Sequence, residues 1–183
     1  MHMATKTRRW TRADLATLPD DGNRYEVLDG ELLVTPQASY DHQRIAARLM
    51  LALGPYCERH GLGEVVGPGA VVFDANELQP DVQVVPGARV TSGAHWKSLP
   101  VPSLAIEILS DSTSQRDLGK KRDAYRRIDI PAYWVVDPDQ RHVLVWTRAS
   151  EQPATVTDLL RWKPSADVPP LEISLDSILP PAR

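Results

Sequence analysis

The chain reads as an α/β domain, a central mixed β-sheet flanked by helices, with an added N-terminal β-hairpin. Three observations point there. The runs Gln79–Val85 and Ser103–Leu109 are apolar enough for buried strands, while Ser39–His60 and Ser114–Ile128 repeat apolar residues at helical spacing. Asp29-Gly30, between two alternating arms, is a two-residue hairpin signal. At 183 residues and 42% hydrophobic composition the chain can bury one good core but not two comfortable ones, so 1–183 reads as a single domain.

Residues 1–9 are polar and basic and are expected to be mobile. Thr11–Leu18 reads as a short helix stopped by Pro19, and Arg24–Leu28 with Glu31–Val34 as the hairpin arms. Ser39–His60 is the longest helix, with His42, Ile45, Ala46, Leu49, Leu53 and Tyr56 on one face and Gly61 as its stop. Glu64–Val66 and Gly69–Phe73 are expected to pair around Gly67-Pro68, with Asp74–Leu78 a polar turn into the Gln79 strand. Pro86–Pro102 is expected to be a long loop, whose Trp96 either stacks on a base or covers the core. Pro131 closes the second long helix, and Tyr133–Val136 and His142–Trp146 add two strands around Asp137–Gln140. Two accounts fit Thr155–Trp162, an edge strand or a short helix; Leu171–Ile178 closes the chain as a strand and a turn.

A net charge of -3 argues against a strongly basic nucleic-acid coat, yet Lys6, Arg8, Arg9 and Arg12, and the stretch Arg116–Arg127, are local clusters able to track phosphates. The single cysteine, Cys57, excludes an intrachain disulfide and a cysteine-cluster zinc site, and its helical apolar stripe marks a packed thiol. No apolar run approaches the roughly 20 residues that span a bilayer, and no signal-peptide core opens the chain, so a soluble cytoplasmic protein is expected.

The chemistry-bearing residues lie between Gln79 and Lys121. Glu107 stands in an almost wholly apolar strand, where an ionised carboxylate is costly unless a cation or donors meet it. Strand alternation puts Asp81 and Gln83 on one face and Val82 and Val84 on the other, so neighbouring strands would bring Asp81 to Glu107. Leu118, Lys121, Tyr125 and Ile128 recur at helical spacing, which turns Lys121 inward, whereas Lys120 is rotated by about 100° onto the face of Arg116 and Arg127. Two carboxylates and a lysine are the parts that hold a hard divalent cation, activate water and neutralise phosphoryl charge. A structural Glu107–Lys121 ion pair also accounts for those two residues, with Asp81 as a turn cap after Pro80. His42 either orients a carboxylate or phosphate or is a satisfied core histidine.

Pro80-Asp81, Glu107 in its strand and a following lysine resemble the PD-(D/E)XK nuclease superfamily. The ordered series Tyr25–Glu31, Asp41-His42-Gln43, Gln79-Pro80-Asp81, Glu107–Ser110 and Ala132–Pro138 resembles the Uma family of restriction-endonuclease-like proteins, over about residues 24–148. The superfamily's lysine position, two residues after the acid, is Leu109, so the lysine role passes to Lys121. The resemblance implies a restriction-endonuclease-like core and a Mg²⁺- or Mn²⁺-dependent endonuclease acting on nucleic acid, DNA before RNA. In it Asp81, Glu107 and the Ile108 carbonyl hold the metal, Lys121 positions water or stabilises charge, and Glu31, in the Asp-Gly-Glu turn, is a third acidic group. Ser110 and Tyr125 either support the site through hydrogen bonds or are a helix-entry serine and a core tyrosine, and Glu26 on the other arm reads as a solvated acid. Cutting both strands of a duplex with one site per chain implies a homodimer. Two other readings stay open, a non-catalytic nucleic-acid- or protein-binding module of the same fold and a small-molecule phosphoesterase.

Overall fold

The computed structural model describes residues 8–87, 93–110 and 116–181. The expected mobile start falls outside this range for 1–7, as does the Ser114 opening of the second long helix. Arg8 and Arg9 lie within it: Arg8 pairs with Asp14 at 2.7 Å and covers the Trp10 ring, and Arg9 packs beside Gly30.

Six strands in the order β10-β9-β8-β7-β6-β3 form the central sheet. They are β3 (Glu64–Val66), β6 (Val82–Val85), β7 (Leu104–Ile108), β8 (Ala132–Asp137), β9 (His142–Thr147) and β10 (Ala154–Val156). β7 and β8 run parallel and the other neighbours antiparallel, so the sheet is mixed. A parallel pair needs a crossover, and here it contains a π-helical turn, Asp117–Lys121, running into α3 (Arg122–Arg127). The topology therefore delivers Lys121 beside β7.

Helix α2 (Tyr40–His60) covers one face of the sheet; Ser39 caps it by accepting from His42 N–H, and Gly61 ends it in the left-handed conformation. Its Ile45, Leu49 and Leu53 pack on Val82, Val84, Ile106, Ile108 and Trp134, as strand alternation requires. On the opposite face Ala105, Tyr133 and Val135 meet Ala124 and Tyr125 together with Leu28, Leu33 and Leu78 of a second sheet. That sheet has the order β2-β1-β5-β4, from β1 (Arg24–Leu28), β2 (Glu31–Thr35), β4 (Val71–Phe73) and β5 (Asn76–Leu78). The hairpin turn forms as its sequence indicates, Leu28 facing Glu31 and both Asp29 and Gly30 at positive φ.

Three local expectations are corrected. Glu64–Val66 pairs with β6, and Val71–Phe73 pairs with Asn76–Leu78, which is a strand rather than a turn. Gly67 instead crosses the start of β6, so closely that a Cβ there would lie 2.1 Å from the Asp81 carbonyl oxygen. The expected helix from Thr11 is helical only over Arg12–Leu15 (α1). The Thr155–Trp162 ambiguity resolves as two strands, β10 and β11 (Leu159–Trp162); β11 pairs with β12 (Leu171–Ser174), and a short helix α4 (Leu175–Ile178) follows. Trp96 packs over Gly69 while the residue stays 42% exposed.

Candidate active site

Two clusters of charged side chains, one around Lys121 and one around Asp81, meet where β1, β6, β7 and the crossover converge. In β1, alternation places Arg24 and Glu26 on the same side, facing the central sheet. Glu26 is fully buried, and its Oε1 accepts from the Gln79 N–H at 2.7 Å. Glu107, 1% exposed, rises from β7 on that side. Lys121 reaches between them, its Nζ 3.0 Å from Glu26 Oε1, 3.1 Å from Glu107 Oε1 and 3.5 Å from Asp117 Oδ1. Tyr125 donates its hydroxyl to Glu107 Oε1 at 3.1 Å, and Tyr133 donates to the Asp117 carbonyl, anchoring the π-helical turn. Such turns insert an extra residue into a helix and often re-aim side chains at functional sites.

Asp81 lies one residue before β6, beside Glu107 across the Val82–Ile106 register. Its Oδ1 accepts from Arg24 Nη1 at 2.6 Å, and its Oδ2 takes the Ile108 N–H at 2.8 Å and His42 Nε2 at 3.1 Å. Burial alone would raise the Asp81 carboxyl, but the His42 hydrogen bond and the Arg24 charge outweigh it and hold its pKa at about 2. Glu107 behaves oppositely. Burial pushes its pKa well above the usual carboxylate range, against the pull of Lys121 and with the push of Asp117, Asp81 and Glu26. Lys121 keeps its proton, because the three carboxyls around it overcome the burial that works against its charge.

A cleft of about 850 Å³ opens above these groups, its wall including Arg24, Ser39, His42, Ile108, Ser110 and Arg141. Asp81 lies directly behind Arg24, His42 and Ile108. Asp81, Glu107, Lys121 and His42 are thus brought into one neighbourhood, but the two carboxylates and the lysine form a buried cluster beneath the cleft instead of projecting into it. Glu31 is placed elsewhere: it is exposed and pairs with Lys120 on the outside of the hairpin. The basic stretch expected to track phosphates is likewise matched by acids, Arg127 to Asp29, Arg126 to Glu151 and Arg122 to Asp123.

Sequence reasoning missed Arg24, and it left Glu26 and Asp117 out of the candidate set. Asp117 carried a usable signal, its i, i+4 spacing to Lys121 on the inward stripe. Arg24 and Glu26 carried a weaker one, a charged pair at strand spacing that reads as a solvated hairpin face until a second sheet is known to cover it.

A family profile described as "Putative restriction endonuclease", Uma2, matches residues 12–176. The chain belongs to the Uma2 family. The Uma2 chain is also similar to a crystal structure titled as a putative nuclease belonging to DUF820 from Anabaena variabilis, with a TM-score of 0.77 at 19% identity, covering 92% of this chain and 97% of that one. That likeness shows a shared fold. No curated protein matches the sequence.

Restriction-endonuclease-like nucleases generally use divalent metals. The donor chemistry here suits a hard cation: four carboxyls, from Glu26, Asp81, Glu107 and Asp117, face two fixed cations, Arg24 and Lys121. Glu26 Oε2 is in addition buried with no hydrogen-bond partner. The arrangement is closed, however. Among the described residues no three His, Cys, Asp or Glu side chains form a group that could hold a metal ion, and Arg24 and Lys121 stand against the carboxylates.

Proposed function

We propose that this Uma2 protein is a Mg²⁺- or Mn²⁺-dependent endonuclease that hydrolyses phosphodiester bonds in DNA. The observation that supports this most is the buried acid cluster with an excess of carboxyls over cations, set against a cleft whose wall carries Arg24 and His42. Asp81 and Glu107, with the Ile108 carbonyl, would hold the metal, which when bound polarises a phosphoryl oxygen and acidifies a water ligand. The chain's own groups have separate tasks. His42 and the Ile108 N–H fix the Asp81 carboxylate through Oδ2. Lys121 holds a proton beside Glu107 and keeps that carboxylate oriented, aided by the Tyr125 hydroxyl, so that a water on Glu107 is directed at the phosphorus. Hydrolysis forms a P–O bond from the water oxygen to phosphorus and breaks the P–O bond to the leaving sugar oxygen; one proton of the water reaches that oxygen through solvent, giving an alcohol, and the other stays with the new phosphomonoester or leaves to solvent.

The protein is proposed to act in the cytoplasm as a homodimer, since two matched sites serve the two strands of a duplex. No helix among the described residues is long and apolar enough to cross a membrane. A non-catalytic binding module is the second reading, favoured by Leu109 at the superfamily's lysine position and by the cations that cap the acids.

The test is plasmid and oligonucleotide cleavage with Mg²⁺, Mn²⁺ and chelator, run beside light scattering. Metal-dependent nicking or linearisation, lost in Asp81→Asn and Glu107→Gln, is the expected result. Salt-sensitive DNA binding without cleavage under any metal would replace the nuclease reading with the binding module.

A further inference from the structure

Arg24 stands between the cleft and the acids. It leaves β1 two residues before Glu26, lines the cleft, and makes one hydrogen bond to Asp81, from Nη1 to Oδ1 at 2.6 Å. A guanidinium that serves only to tie down a carboxylate usually does so with two parallel bonds. Here its Nε is buried with no hydrogen-bond partner, so that donor of the fork is uncommitted. Asp81 does not depend on it either, because Oδ2 is held independently by His42 and the Ile108 N–H. The arginine is permanently charged and sits in the field of Asp81, Glu107 and Glu26. It therefore occupies, as a monovalent cation, the side of Asp81 that a divalent one would take.

We infer that Arg24 is a resident counter-cation that leaves Asp81 when a divalent ion binds there, and then turns into the cleft to contact a phosphate of the substrate. The inference rests on the nuclease reading. A divalent ion on Oδ1 repels a guanidinium held on the same oxygen, and that repulsion favours the guanidinium's departure. With part of its side chain already at the cleft wall, a rotation about the side-chain bonds carries the fork to an anion. The same residue would thus guard the empty acid and engage the substrate once the metal is in place.

Two measurements test this without relying on turnover. In calorimetric Mn²⁺ titration of the DNA-free protein, Arg24→Gln is expected to bind about tenfold more tightly than wild type, the direction set by removing a competing charge. In arginine side-chain NMR of the wild-type protein, Mg²⁺ is expected to shift the Arg24 Nε–H resonance and raise its mobility, a readout that needs no variant. A cleavage series adds a signature: in Arg24→Gln the Mn²⁺ concentration for half-maximal rate falls while the plateau rate also falls. A residue that only supported the fold would weaken both. Unchanged or weaker Mn²⁺ affinity in a folded Arg24→Gln, or an Arg24 signal that Mg²⁺ leaves rigid, overturns the inference and leaves the nuclease intact. A wild-type protein that neither binds metal nor cleaves overturns both.

Discussion

Lys121 and Lys120 are adjacent in sequence and opposite in surroundings. Lys121 is 2% exposed and touches Glu26, Glu107 and Asp117, whereas Lys120 meets only the exposed Glu31 among the described residues. Removing one partner from a buried ion cluster leaves uncompensated charge, so Lys121→Met is expected to cost about 3–5 kcal/mol, and Lys120→Ala no more than about 0.5 kcal/mol. Urea midpoints at constant slope would show this. Glu26→Gln placed on Lys121→Met should recover part of the loss, since it removes one of the buried carboxyls left without its cation. Equal, small effects of the two lysine variants would mean that the cluster is not held by its charge balance. Lys121 was legible in the sequence because a lysine on an apolar helical stripe has few ways to be satisfied. Glu31 attracted attention through its turn, but Glu26 on the opposite arm is the acid that faces inward, and nothing local to the hairpin distinguishes the two.

At the level of elements, the long ones were readable and the short ones were not. Strands β7 and β8 and helix α2 have enough residues for their periodicity to show, and the Asp29-Gly30 turn specifies its own geometry. Strands β3, β4 and β5 have three residues each, and their partners are fixed by contacts distant in sequence. Gly67 is the clearest of these contacts. A Cβ there would meet the Asp81 carbonyl oxygen at 2.1 Å and the Val82 Cα at 3.1 Å, both backbone atoms that cannot swing aside. Gly67→Ala is therefore expected to destabilise by about 1–3 kcal/mol and to weaken Mn²⁺ binding by displacing Asp81 from His42 and the Ile108 N–H. Gly54 in α2 meets nothing within 4 Å apart from its chain neighbours, and because the ring of Pro55 offsets the helix gain of a Cβ at the preceding position, its alanine variant should change stability by less than about 1 kcal/mol and leave Mn²⁺ affinity intact. Thermal denaturation paired with metal titration separates the two; intact Mn²⁺ affinity in Gly67→Ala would show that Asp81 is positioned without that close approach.

For the molecule as a whole, the acid cluster joins the hairpin sheet, the central sheet and the crossover helix at one buried point, so whatever neutralises it should stabilise all three together. A divalent ion that binds the folded chain and not the unfolded one adds RT ln(1 + [L]/Kd), about 2.7 kcal/mol at a hundredfold excess over Kd. In a chain of 183 residues that corresponds to a rise in Tm of about 5–10 °C. The rise should follow Mn²⁺ concentration, reverse with chelator and be absent with potassium at equal ionic strength, because general screening acts on surface charges and this cluster is enclosed. Asp81→Asn should abolish it. His42→Gln should reduce it less, since the Ile108 N–H still holds Oδ2. A shift of equal size in wild type and Asp81→Asn would place the ion elsewhere on the surface, and the excess of buried carboxyls would then need to be balanced by protons, with Glu107, whose pKa burial already raises, as the group that carries one.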